Sequence, residues 1–176
     1  MAERDWVRIV AEERCDECGL APAEVAGPDL AAGLRHEAER WAVLLETAAP
    51  DALRARSGGT WSALEYAAHT RDTLAVFAGR VGRMLAEDDP ELGWWDHEAA
   101  VAAERYNEQD PTDVGLVLVA NAEALALALE AVEGDAWGRT GVRRAGERFT
   151  VEGLGRFALH EAAHHRRDAE VATRRA

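Results

Sequence analysis

The stretch 149–175 constrains the fold most, because it joins a strong helix signal to polar residues where a core is expected. Thr150 is a good N-cap, since its hydroxyl can accept a hydrogen bond from a backbone N–H of the first turn. After it, a spacing of three and four residues marks one helical face: Val151, Leu154, Ala158, Glu161, His165, Asp168 and Ala172. The ends of this face are apolar, but its middle is Glu, His and Asp. Buried polar groups must be satisfied, and a divalent metal satisfies a Glu and a His together.

A second pair of candidate ligands, His160 and His164, also lies one turn apart in this stretch. Its helical face continues to Arg156 and Arg167, which favours a position facing solvent. Glu161 and His165 are therefore the favoured inward pair, and His160 with His164 is the alternative.

The rest of the sequence predicts further long helices. It is 48% hydrophobic, and much of this is Ala and Leu, which favours helix. Apolar stripes at helical spacing predict helices over 30–45, 62–85 and 114–132, and 135–149 is a long connection with room for a short hairpin. Four long helices with a long crossover connection predict an all-α four-helix bundle. Residues 1–176 are expected to form one domain, with 1–27 as an N-terminal extension.

Charge narrows the choice of partners. The net charge is -13, from 33 acidic and 20 basic residues, and every basic residue is Arg. Such a surface repels phosphate, so neither nucleic acid nor a membrane is expected as a partner. No run of about 18 apolar residues and no signal-peptide pattern is evident, which predicts a cytoplasmic protein. The sequence is compatible with either a monomer or a homodimer.

A metal held by Glu161 and His165 needs at least a third ligand, and His69 is the best distant candidate. It lies on the second long helix, in the segment WSALEYAAHTRD, and facing helices of a bundle commonly share a metal site. Asp72 follows His69 by three residues, just as Asp168 follows His165. Either carboxylate could orient the imidazole beside it. The alternative is a core histidine and a solvated helix face without metal.

The segments WSALEYAAHTRD and HEAAHHRRD together resemble the DinB/YfiT-like superfamily, which includes the metal-binding domain of mycothiol-dependent maleylpyruvate isomerases and the bacillithiol transferases. The resemblance spans 30–172. It implies a four-helix bundle whose divalent metal is held by one His of the second helix and an (H/E)xxxH pair of the last. Matched to this sequence, it implies His69, Glu161 and His165 as ligands, with Glu where many relatives have His. A match shifted by one residue would use His160 and His164 instead.

The resemblance also implies a chemistry. In such relatives the metal activates a low-molecular-weight thiol, such as mycothiol, for transfer, conjugation or isomerisation. We therefore expect a metal-dependent enzyme that joins a thiol to an electrophilic substrate, through an activated thiol or water, with a transferase favoured over a hydrolase or an isomerase. Zinc is the favoured metal, although nickel, iron and manganese also accept imidazole and carboxylate ligands. The alternative is a non-catalytic metal-binding or stress-response bundle.

The crossover at 91–110 supplies candidate substrate contacts. If it covers the metal end of the bundle, Trp95, Arg105 and Tyr106 would wall the substrate pocket. Arg105 could then pair with a substrate carboxylate. The alternative for these aromatic residues is packing beneath the crossover.

Cys15 and Cys18 form a CxxC pair in the N-terminal extension. Such a pair can be half of a zinc site or a redox pair, so it is a candidate second metal or redox site. No further Cys supplies another half, and two cysteines are too few for a disulfide framework. A structural loop or an intermolecular contact is the alternative.

Overall fold

The protein is a helical bundle, seen in a computed structural model that describes residues 5–144 and 146–175. Its α-helices are α1 (Trp6–Glu12), α2 (Leu30–Thr47), α3 (Pro50–Arg54), α4 (Ala63–Ala86), α5 (His97–Ala103), α6 (Pro111–Glu130) and α7 (Val151–Arg174). Strands β1 (Thr140–Arg144) and β2 (Glu147–Thr150) form an antiparallel hairpin. The long helices α2 and α4 each pack against both α6 and α7. The predicted all-α four-helix bundle and the hairpin before the last helix are confirmed.

The two helices that carry the predicted metal ligands begin at the predicted residues. Ser62 caps α4, because its hydroxyl accepts a hydrogen bond from the Glu65 N–H at 3.2 Å while the Glu65 carboxylate accepts one from the Ser62 N–H at 2.8 Å. Thr150 caps α7 by accepting from the Gly153 N–H at 2.9 Å. These bonds satisfy N–H groups that a helix start otherwise leaves unpaired. They fix the first turn of each helix and so the faces that follow.

The first long helix, α2, buries the stripe that the sequence predicts: Leu30, Leu34, Ala38, Trp41 and Leu45. Trp41 is fully buried, and its indole N–H donates to the Ala162 carbonyl at 3.0 Å. This bond ties α2 to α7 next to the predicted ligand Glu161.

The helix α6 is capped by Asp110, whose carboxylate accepts from the N–H groups of Thr112 and Asp113. The helix is also long and apolar enough to cross a membrane by length and composition, with a mean hydropathy of 1.6, so the expectation that no such run occurs is wrong. It lies against α2 and α4 and buries Leu118 and Leu125 between them. A core helix of a bundle passes the same test.

The two long connections of the bundle meet each other. The Leu92 N–H donates to the Val142 carbonyl at 2.7 Å, and the Val142 N–H donates to the Pro90 carbonyl at 2.9 Å. The segment before α5 therefore runs parallel to β1. This contact places the Arg143 guanidinium 5.6 Å from the centre of the Trp94 ring.

The N-terminal extension lies along α7. Helix α1 contacts α7, and Trp6 stacks on Phe157 with ring centroids 5.0 Å apart. Further along, Arg156 donates from Nε to the Val25 carbonyl at 3.0 Å. The extension thus covers the face of α7 that was expected to meet solvent.

Candidate metal centre

Three side chains from α4 and α7 converge on one point and form what we call the His69 site: His69, Glu161 and His165. His69 Nε2 lies 3.8 Å from Glu161 Oε2, and His165 Nε2 lies 3.6 Å from the same oxygen. The ligand atoms of all three lie within 4.8 Å of one another. Glu161 and His165 are one turn apart on α7, so they present adjacent side chains to His69 on α4.

The geometry and the donor set of the His69 site suit a divalent metal ion. Bonds of about 2.0–2.2 Å to imidazole nitrogen and carboxylate oxygen place two tetrahedral ligands about 3.4 Å apart. The separations of 3.6 and 3.8 Å are close to that value and too long for hydrogen bonds between the same atoms. Three protein ligands also leave positions for water or substrate. The structure therefore brings the predicted ligands into an arrangement that could hold a metal.

Asp168 orients His165 within this site. His165 Nδ1 lies 3.1 Å from Asp168 Oδ2, which leaves Nε2 towards Glu161. Burial would lower the pKa of His165, but Asp168 and Glu161 outweigh it and raise this pKa to about 9. Burial would raise the pKa of Glu161, yet the two histidines hold it well below its usual value. Without metal, the site is an ion pair.

His69 is held mainly by packing against aromatic rings. Its ring lies 5.1 Å from that of Trp61 and stacks on Trp95 at 5.8 Å and an interplanar angle of 7°. Thr73 Oγ1 is 3.3 Å from Nε2, while Nδ1 is buried with no hydrogen-bond partner among the described residues. Burial lowers the pKa of His69, so its ring is neutral, as a metal ligand must be.

The His69 site lines a cavity of about 380 Å³, which is large enough for a small-molecule ligand. Its walls are mostly aromatic and are formed by Trp6, Trp61, Phe77, Trp94, Trp95 and Phe157. His97 also lines the cavity, with its ring 5.4 Å from that of His69. Three arginines also line the cavity: Arg80, Arg143 and Arg144.

The arginines of the cavity were missed by the sequence analysis, and Arg80 is the most informative of them. It is buried, and one terminal nitrogen donates to the Gly93 carbonyl at 2.7 Å, whereas Nε has no hydrogen-bond partner among the described residues. Arg143, in contrast, pairs with Glu147 at 2.7 Å. Burial and the nearby Arg143 lower the pKa of Arg80 to about 10, so it is still charged at neutral pH. It is well placed to bind an anionic group.

A sequence signal for Arg80 exists in the spacing of α4. Phe77 and Arg80 follow Thr73 by four and seven residues, and Thr73 follows His69 by four. These are the intervals of one helical face, and all four residues line the cavity. This face is apolar before it reaches Arg80, so hydrophobic spacing alone does not mark its charged end as part of the site.

Two of the three predicted substrate contacts lie elsewhere. Trp95 lines the cavity, but Arg105 is exposed and pairs with Glu108 at 3.0 Å, and it is not a lining residue. The α5–α6 connection turns sharply at Arg105, whose φ is 50°, before Tyr106 enters the core. The prediction for Arg105 and Tyr106 is therefore corrected, because the cavity is lined by the buried Arg80 and not by either of them.

The prediction that Asp72 orients the imidazole of His69 is also corrected, because the Asp72 carboxylate makes its hydrogen bonds to other residues. It accepts hydrogen bonds from the Arg71 guanidinium at 2.7 and 2.9 Å and from the Tyr106 hydroxyl at 2.5 Å. Burial and the bond to Asp72 raise the pKa of Tyr106. This network fixes the connection before α6 to α4, and neither Asp72 nor Tyr106 lines the cavity of the His69 site.

His160 and His164 lie on the neighbouring face of α7, against the N-terminal extension. His160 is 2% exposed, with its ring 5.8 Å from that of Trp6. His164 Nδ1 lies 3.5 Å from Cys15 Sγ, and Cys18 belongs to the same group of ligand atoms. The expectation that this face meets solvent is wrong, because the extension covers it. Beside His69, the structure places Glu161 and His165 rather than this alternative pair.

Fold and site together define a helical bundle with a candidate metal centre, and comparison with known proteins agrees. The sequence matches the model of the DinB superfamily over residues 33–169, and the chain belongs to that superfamily. Its structure is similar to that of YfiT from Bacillus subtilis, with a TM-score of 0.78, 18% identity, and 85% of this chain and 86% of that one covered. YfiT is described as a probable metal-dependent hydrolase with an unusual four-helix bundle topology. No curated protein matches the sequence.

Proposed function

We propose that this protein is a divalent-metal-dependent enzyme acting on a small molecule, with His69, Glu161 and His165 as the metal ligands. The convergence of these three donors on the lining of an aromatic cavity carries the proposal. A bound ion lowers the pKa of a coordinated thiol or water, so that thiolate or hydroxide forms near neutral pH. Zinc is the favoured ion, since it accepts imidazole and carboxylate ligands in a site that keeps an open position.

The residues around the ligands favour an anionic, unsaturated substrate. Arg80 would bind a carboxylate or a similar group through its guanidinium, because charge-assisted bonds of this kind are strong in a buried site. The rings of Trp61 and Trp95 would pack on flat parts of the substrate and exclude water. Asp168 would keep the ligand His165 oriented throughout.

The favoured reaction is transfer of a low-molecular-weight thiol, such as mycothiol, to an electrophilic carbon of this substrate. The thiol sulfur would form the new bond to carbon as the π bond of the unsaturated substrate breaks, and the proton lost by the thiol would be balanced by one taken up from solvent at the neighbouring carbon. The resemblance to thiol-dependent relatives supports this choice. The second candidate is hydrolysis by an activated water, which is favoured by the structural similarity to YfiT, a probable metal-dependent hydrolase.

Elemental analysis of the purified protein tests the metal site. His69→Ala and His165→Ala should each lower the metal content by about one ion per chain relative to the wild type. His36→Ala is a matched control, because His36 lies on α2 and outside the cavity. Unchanged metal content in both site variants would refute the proposal.

Activity assays separate the two reactions and the non-catalytic alternative. The metal-loaded and the chelator-treated protein would be given aromatic or unsaturated carboxylates that carry an electrophilic carbon, with and without a thiol. Turnover that needs both metal and thiol supports the transferase, and metal-dependent turnover without thiol supports the hydrolase. A fully loaded protein that turns over neither class would support a metal-binding bundle without catalysis.

A further inference from the structure

Residues 15–19 of the N-terminal extension form a tight turn that presents two thiols. The Gly19 N–H donates to the Cys15 carbonyl at 2.8 Å, and the Cys15 N–H donates to the Leu20 carbonyl at 2.8 Å. Gly19 has a φ of 77°, which side-chain-bearing residues rarely adopt, so glycine closes the turn directly after Cys18. Both cysteines are free and half-buried.

Two histidines of α7 complete a group of four ligands, here named the Cys2His2 cluster: Cys15, Cys18, His160 and His164. Each residue offers a ligand atom, and these atoms lie within 4.8 Å of one another. His164 Nδ1 is 3.5 Å from Cys15 Sγ. A tetrahedral ion with bonds of about 2.3 Å to sulfur and about 2.0–2.1 Å to nitrogen places such atoms about 3.6 Å apart. The observed distance matches that separation.

His164 has the outer partners that a metal-bound imidazole uses. Its Nε2 lies 3.4 Å from a carboxylate oxygen of Glu17 and 3.5 Å from one of Asp168. Carboxylates at one ring nitrogen fix the tautomer and leave the other nitrogen free to bind an ion. Here the free nitrogen is Nδ1, the one that faces Cys15. His160, one turn earlier on α7, is almost fully buried, with its ring 5.1 Å from that of His164.

We propose that the Cys2His2 cluster binds a structural zinc ion, distinct from the ion of the His69 site. Two thiolates and two imidazoles, with CxxC and HxxxH spacings, are a donor set of structural zinc sites. Four protein ligands close the coordination sphere, so no position is left for a substrate. The ion fastens the extension to α7, and it thereby also holds Trp6 against Phe157 in the wall of the neighbouring cavity.

A redox role suits these cysteines less well. A redox pair needs no donors beyond its two thiols, whereas Cys15 and Cys18 lie in one group with ring nitrogens of His160 and His164, all within 4.8 Å of one another. Four donors at such separations suit a bound ion.

Cobalt titration of the metal-free protein separates the two sites, because only thiolate ligands give sulfur-to-cobalt charge-transfer absorption. The wild type should bind about two equivalents and show this absorption. Joint replacement Cys15→Ser and Cys18→Ser should abolish it and remove about one equivalent. His69→Ala is the matched control, and it should keep the absorption while losing the other equivalent. Because the cysteine variant and the His69 variant each remove one site, the test does not depend on the proposed enzymatic function.

Hydrogen exchange of the same samples tests the structural role and shows whether the variants are folded. Removing the metal from the wild type should speed amide exchange in 6–25 while the cores of the four long helices stay protected. The doubly substituted protein should show this fast exchange with or without metal. Cobalt absorption that survives both serine substitutions, or a wild type that binds metal without any charge-transfer absorption, would overturn the proposal. So would a Cys15–Cys18 disulfide in protein purified under reducing conditions.

Discussion

Metal binding to the His69 site should release a proton from His165. In the metal-free protein His165 is protonated at pH 7, because its pKa is about 9. A metal ion needs the neutral imidazole, so it must displace that proton. Glu161 is already ionised and His69 is already neutral, since the pKa of each is lowered. Binding at pH 7 should therefore release about one proton per ion.

The free-energy cost of removing this proton follows from the pKa of His165. At pH 7, a pKa of about 9 corresponds to a cost of about 3 kcal/mol, which lowers the apparent metal affinity about 100-fold. Affinity should rise about tenfold per pH unit above neutrality and level off once the pH exceeds the pKa of His165.

The raised pKa of His165 also makes the stability of the metal-free fold depend on pH. Because the pKa of His165 is raised from about 6.5 in the unfolded chain, its stabilisation is complete below that pH and is lost as the pH rises through about 9. The loss should be about 3 kcal/mol in the free energy of unfolding. Glu161 acts in the opposite range, since its lowered pKa stabilises the fold above about pH 4.5, and this contribution is lost as the pH falls below that value.

Calorimetric titration in buffers of different ionisation enthalpy counts the released protons. A background of Cys15→Ser and Cys18→Ser removes the thiol protons from the count. In that background, Asp168→Asn should lower the pKa of His165 and reduce the proton release at pH 7, whereas Glu46→Gln on exposed α2 surface should not. No proton release at pH 7, together with an affinity that does not change between neutral and mildly alkaline pH, would refute this reasoning.

Three further substitutions and one control test the cavity and the fold. Arg80→Met should raise the KM for anionic substrates about 10- to 100-fold, because a charged hydrogen bond is lost, whereas Arg105→Ala should leave it unchanged in steady-state kinetics. Trp41→Ala should lower the free energy of unfolding by about 3–5 kcal/mol in denaturant titration, and a cost below about 1 kcal/mol would contradict its place in the core. Ser62→Ala should cost about 1–2 kcal/mol in the same assay, since α4 loses its cap, and an unchanged midpoint would argue against the capping box.

Structural features that depend only on residues close together in the sequence could be predicted from it. The starts of α4 and α7 depend on Ser62 and Thr150, whose bonds reach only three residues ahead. The inward face with Glu161 and His165 depends on helical spacing alone, so it also follows from the local pattern. The bundle follows from four such helices, because each must bury its apolar face against the others.

Features that depend on contacts between distant segments could not be predicted. The alternative pair His160 and His164 was expected to face solvent, since nothing in the local pattern shows that the N-terminal extension covers it. The histidines beside Cys15 and Cys18 are likewise almost the whole chain away in sequence, so the CxxC spacing alone could not identify them. Arg143 reaches the cavity only because β1 runs beside the segment before α5.

One stretch of α7, HEAAHH, interleaves two pairs of candidate ligands. His160 with His164 and Glu161 with His165 share a four-residue interval but are offset by one residue, which is about 100° around the helix axis. The helix therefore turns one pair of candidate ligands towards His69 and the other towards the N-terminal extension. Inserting a single residue before His160 would turn the first pair towards His69 and create an all-imidazole centre. The smallest change in chain length, with no new ligand residue, would thus convert the centre beside His69 and leave the two cysteines without their histidines.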